Sequence, residues 1–258
     1  MTSPLRWRAP SGGRGGRDGP VAAGGEERPP LRWGITYSVA GLIAGILLSS
    51  LAAGAWLAAT GESDLPLGGL ALSQIGLWIG LAGAAVCASR VHGTGRVGVD
   101  LGLWMRPLDP VVGVVVGVAA QVGLVNLIAI LLSPLVGHPD VSQEATDLVG
   151  KTHGVGLVGL IVFVVIGAPI VEELFFRGLF LRSLQRRLPD WAAITLSGLL
   201  FGLAHLQDAS AGGLILFVSL FAFGVVLAVA AVRSGRLGPG IWAHATFNAF
   251  TVAVLLLT

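Results

Sequence analysis

The sequence predicts an all-α fold, a polytopic transmembrane helical bundle of about seven to eight spans. Three observations lead there. Of 258 residues, 54% are hydrophobic and only 12% charged, and the mean hydropathy is +0.83, too apolar for an ordinary soluble domain. The apolar residues fall in blocks of about 20, the length that crosses roughly 30 Å of hydrocarbon. The basic residues collect in alternate connecting loops, as they do in membrane proteins of fixed orientation.

Residues 1 to 33 are rich in Gly, Pro and Arg and poor in aliphatics. They bury too little apolar surface to offset the entropy of ordering, which predicts a flexible tail. The tail is too long for the n-region of a signal peptide, and the apolar stretch after it is longer than an h-region needs. Residues 34 to 258 are read as one transmembrane domain. Its expected spans are 35 to 59, 68 to 89, 110 to 136, 155 to 182, 191 to 206, 213 to 232 and 238 to 257. The fourth is long, and Gly167 to Pro169 are expected to split or kink it, because proline removes a helix hydrogen bond. The fifth is short and is expected to run somewhat past these limits. Gly41 and Gly45, Gly113 and Gly117, and Gly198 and Gly202 are pairs spaced four apart, which lets helices approach closely.

Seven spans place the two ends of the chain on opposite sides. With a cytoplasmic tail, that side also receives Arg90, Arg96, Arg106, Arg182, Arg186, Arg187, Arg233 and Arg236. The other side receives Glu62, Asp64, Asp140, Glu144, Asp147 and Asp208, with Lys151 as its fixed positive charge. Fourteen of the sixteen basic residues thus fall on the tail side, the exceptions being Lys151 and Arg177. The N-terminus is therefore expected in the cytoplasm, in an integral protein of the plasma membrane. The net charge of +2 and pI near 9.3 do not predict nucleic-acid binding, because the arginines are spread along loops and tail without interleaved aromatics. The single cysteine, Cys87, excludes an internal disulfide and a cysteine metal cluster.

Ionisable groups inside a span cost about 2.5 to 3.5 kcal/mol each and usually face a cavity or a partner. Here they are Glu172, Glu173 and Arg177 in span four, His205 in span five, and His244, with the amide Asn248, in span seven. Neighbouring helical residues point about 100° apart, so the two glutamates need different partners. Glu173 and Arg177 are four apart with the acid N-terminal, the better orientation for an ion pair. Glu172 is left to face something else, with the apolar Phe176 one turn on, a setting suited to a general base. Phe201 and His205, and His244 and Asn248, share the same spacing and so lie on single helix faces. At about 1.5 Å per residue, Glu172, His205 and the His244 to Asn248 turn lie roughly 15, 21 and 9 to 15 Å from the cytoplasmic helix ends. They are expected to meet within the membrane.

Glu172-Glu173-xxx-Arg177, Phe201-xxx-His205 and His244-xxx-Asn248, in that order and in separate spans, resemble the motifs of the CPBP intramembrane proteases. That family includes type II CAAX prenyl proteases and bacteriocin-processing, lysostaphin-resistance-protein-like homologues. The resemblance covers roughly residues 155 to 257, the expected protease core; residues 1 to 150 match only as apolar spans. Family members are often drawn with eight spans. The resemblance implies an endopeptidase acting on a membrane-associated peptide or protein, with Glu172 activating water and His205 holding it. It further implies that His244 and Asn248 stabilise the oxyanion, and that Glu173, Arg177 and Phe201 support the site. The family is often written as a metalloprotease, so a zinc site of Glu172, His205 and His244 is the alternative. The His-Glu-x-x-His motif is absent, and Asn248 beside His244 suits an oxyanion site better than a zinc shell. No cofactor is therefore assigned with certainty.

Two other classes remain open at this stage. A non-catalytic scaffold or immunity-type protein of the same fold would keep its function without Glu172 and His205. A proton-coupled transporter would also use intramembrane Glu and His, but it calls for matching broken helices in two halves, whereas the polar groups here lie in the last four spans.

Overall fold

The computed structural model describes residues 33–136, 146, 149–150, 152–206 and 210–257. Among them every regular element is helical: α1 (Ile35–Thr60), α2 (Leu67–His92), α3 (Val97–Leu101), α4 (Asp109–Val136), α5 (Val155–Gln185), α6 (Asp190–Leu203), α7 (Ala211–Ser234) and α8 (Gly238–Leu257). All but α3 and α6 are long and apolar enough to cross a membrane, which makes six such helices. Their outward faces carry Leu51, Val115, Ile130 and Leu135, exposed as lipid-facing residues are. The molecule is an integral membrane protein.

The expected fifth span differs in length. α6 has 14 residues, about 21 Å of helix, against roughly 30 Å of hydrocarbon. Its helix stops at Leu203, and Ala204 and His205 form a turn beyond it. Span four is also not split at Gly167 to Pro169. α5 runs unbroken past Pro169 because the chain widens into π geometry over Val162–Gly167, just where the proline lacks its N–H. A second π segment, Leu174–Phe180, follows the glutamates.

Small residues set the helix contacts. A Cβ at Gly80 would run into the backbone of Gly45, so α1 and α2 pack as a close antiparallel pair. Gly113 and Gly117 of α4 abut Trp242, Ala243 and Thr246 of α8, and Gly198 and Gly202 of α6 abut Phe217, Phe221 and Val225 of α7. All three sequence-predicted glycine pairs therefore make helix contacts. α5 runs through the middle of the core, where Phe175, Phe176 and Leu179 meet Ala85 of α2, Phe201 of α6, Phe223 of α7 and Phe247 of α8.

One end is tied by polar contacts. Asp100 accepts hydrogen bonds from Ser89 Oγ at 2.6 Å and from Thr94 N and Oγ1 at 2.9 and 2.6 Å, while its backbone carbonyl accepts one from Arg182. Asp109 forms a forked ion pair with Arg236, at 2.6 Å from Nη2 and 2.8 Å from Nε. These bonds anchor the α2 to α4 connection onto α5 and onto the α7 to α8 turn. Trp33, the last residue of the expected tail, is buried, and its carbonyl accepts from Arg186. Residues 1 to 32 of that tail lie outside the described residues, as do Asp140, Glu144, Asp147, Lys151 and Asp208, on which the charge asymmetry drew.

Candidate active site

Glu172 and Glu173 end a short α segment, Ala168–Glu173, held between the two π segments of α5. Their side chains diverge, as helical geometry requires. Glu173 and Arg177 have no exposed surface, and Arg177 Nη1 donates to Glu173 Oε1 at 2.7 Å. Arg177 Nη2 donates to the Gly224 carbonyl of α7 at 3.0 Å, and the guanidinium lies 4.5 Å over the Phe201 ring. The other carboxylate oxygen, Glu173 Oε2, lies against the first turn of α8. There a Cβ at Gly240 would come to 2.8 Å from it, so glycine is what lets α8 approach this close.

Glu172 faces the two histidines. Its Oε2 is 3.7 Å from His205 Nε2 and 3.8 Å from His244 Nε2, beyond direct hydrogen bonding in both cases. Although 13% of the side chain is exposed, Oε2 itself is shielded and has no hydrogen-bond partner among the described residues. His205 is held by its other nitrogen, Nδ1, 2.8 Å from the Phe201 carbonyl. A carbonyl only accepts, so Nδ1 carries a proton, and Nε2 is the ring nitrogen turned toward Glu172. His244 is buried edge-on between the rings of Phe201 and Phe223, with Nδ1 3.5 Å from Glu173 Oε1. Phe201 thus touches Arg177, His205 and His244 at once.

Six of the seven sequence-selected residues therefore converge: Glu172, Glu173, Arg177, Phe201, His205 and His244. Asn248 stands one turn beyond His244 on α8, and its Nδ2 donates to the Val164 carbonyl at 2.8 Å. That carbonyl belongs to the Val162–Gly167 π segment. One of the two amide N–H groups is committed there, and one remains.

The family model of the type II CAAX prenyl endopeptidases, Rce1-like, matches residues 154–250. Over that segment, rather less than half of the chain, the sequence is similar to the Rce1-like family. Neither the curated proteins nor the solved structures hold a match to the chain. The Rce1-like segment contains every residue of the cluster and all of α5, α6 and α7, while α1 to α4 lie before it. It agrees with the resemblance read from the three motifs.

Whether the cluster suits zinc is a question of spacing. Among the described residues no group of three or more His, Cys, Asp and Glu is arranged to hold a metal ion. Glu172, His205 and His244 approach one another as separate pairs around one carboxylate oxygen, so the metalloprotease alternative has no support in this geometry and no step is derived through a metal. The sequence reading missed the Val164 carbonyl, Gly240 and Phe223. A proline two residues after a glycine was the one signal near Val164; nothing in the sequence marked the other two.

Proposed function

We propose that this protein is an intramembrane endopeptidase that hydrolyses a peptide bond of a membrane-associated substrate with water activated by Glu172. The observation that carries this reading is the Glu172 Oε2 atom, shielded and unbonded, with His205 Nε2 and His244 Nε2 at 3.7 and 3.8 Å. A buried acceptor left open where two imidazoles converge suits a reactant better than a structural bond.

In this mechanism the water gives one O–H to Glu172 and the other to His205 Nε2, and two acceptors on the hydrogens leave a lone pair free to attack. Glu172 takes a proton as the oxygen adds to the scissile carbonyl. The charge moves to the carbonyl oxygen, where His244, when its Nε2 carries a proton, and the remaining Asn248 N–H serve as donors, preorganised and away from bulk water. On collapse of the tetrahedral intermediate the C–N bond breaks, and Glu172 returns its proton to the leaving amine. Glu173 and Arg177 touch no reacting atom in this scheme. They hold α5 to α7 and support His244 from behind.

The family's description makes a prenylated terminus of the form Cys-aliphatic-aliphatic-Xaa the first substrate class to try. The arginine-rich loops support a cytoplasmic N-terminus. Comparing the membrane peptides of wild-type and Glu172→Gln cells tests the reading. A cleavage product that disappears in the variant is expected; identical peptide patterns, with purified variant cutting as fast as wild type, would contradict it.

A further inference from the structure

α4 carries two amides inside the membrane, and they are treated differently. Asn126 Nδ2 donates to the Val122 carbonyl one turn back at 2.8 Å, so that side chain is satisfied within its own helix. Gln121 is half-buried, and its Oε1 is shielded without a hydrogen-bond partner among the described residues. An unpaired buried carbonyl is costly in lipid, where no water can serve it.

Position gives this atom a use. Gln121 lies in Ala119–Leu124, one of three π segments among the described residues; of the other two, one ends at Gly167 and one begins at Leu174, just after the glutamates. α4 and α8 run side by side in the same direction: Gly113 packs on Pro239, Trp242 and Ala243, and Gly117 on Ala243 and Thr246. One further turn, about 5.4 Å, brings Gln121 level with Asn248. Its neighbour Ala120 shares the apolar core with Phe247.

A peptide opened for hydrolysis inside the bilayer has lost its helical hydrogen bonds, and its N–H groups need acceptors from the protein. At this depth the Val164 carbonyl is taken by Asn248, and Glu172 is assigned to water. We propose that Gln121 is a substrate-binding residue whose side-chain carbonyl accepts a backbone N–H of the peptide lying in the site. This assignment rests on the endopeptidase reading.

The test uses full-length protein in liposomes and a fluorescence-quenched, prenylated peptide ending Cys-aliphatic-aliphatic-Xaa. Gln121→Met, close in length and without the acceptor, is expected to raise KM about tenfold and change kcat little. It is expected to melt no lower than wild type, because it removes an unsatisfied polar group. N-methylation of one backbone amide of the peptide should raise KM for wild type by a similar factor and leave Gln121→Met unaffected. A fall in melting temperature of several degrees would show the amide to be structural and overturn the proposal. An unchanged KM, or equal sensitivity of both proteins to every N-methylated peptide, also overturns it while Glu172→Gln remains inactive. If wild type leaves the peptide intact, or Glu172→Gln cuts it equally well, the endopeptidase reading fails and takes this assignment with it.

Discussion

The Glu173 carboxylate has no exposed surface and holds Arg177 at 2.7 Å, whereas Glu172 keeps part of its side chain exposed and meets two imidazole nitrogens only at 3.7 and 3.8 Å. One residue apart, the two acids live in a closed and an open environment. A closed pair inside a protein has spent its charge on a partner; removing either member strands the other. An open carboxylate with no committed partner keeps its lone pairs for a substrate. In the mechanism we propose, the difference divides one acidic dipeptide into a support and a reactant, and each role can be tested separately.

The largest effect is expected on the closed side. Glu173→Ala leaves Arg177 buried and uncompensated, which costs about 3 to 5 kcal/mol, enough to remove much of the folded protein in a detergent unfolding assay. The double substitution Glu173→Leu with Arg177→Met is expected to recover stability, since both charges leave together. On the open side, His244→Ala should lower kcat about 10²- to 10³-fold with the fold retained, the scale of losing an oxyanion donor. Asn248→Ala should cost less, about tenfold, because one of its N–H groups already serves Val164. Dialysis against a strong chelator is expected to leave activity unchanged; loss that zinc restores would replace the metal-free scheme with a zinc one.

Much of the closed side was legible in the sequence, because i,i+4 spacing on a helix is local: Glu173 and Arg177 pair as their positions predict. The convergence of Glu172, His205 and His244 was legible as depth, since each is an ionisable group the bilayer penalises. What was not legible depends on where helices end and how they distort. The apolar run to Leu206 gave no sign that α6 stops at Leu203 and leaves His205 in a turn, because hydropathy does not mark a helix end. Nor did it show that a π segment would offer the Val164 carbonyl to Asn248. Gln121 went unnoticed because, unlike Asn248, it has no ionisable residue one turn away: Gly117 and Val125 stand there. Asp109 and Arg236, 127 positions apart, pair across the fold and leave no local pattern.

The central claim is the division of the acidic pair, and one side-by-side measurement addresses it most directly: turnover per folded molecule and melting temperature for Glu172→Gln and Glu173→Gln in the same liposomes. The account predicts that Glu172→Gln melts like wild type and loses about 10²- to 10⁴-fold in turnover, while Glu173→Gln melts lower and retains turnover in the fraction that folds. The reverse pattern, a stable but inactive Glu173→Gln beside an active Glu172→Gln, would contradict it.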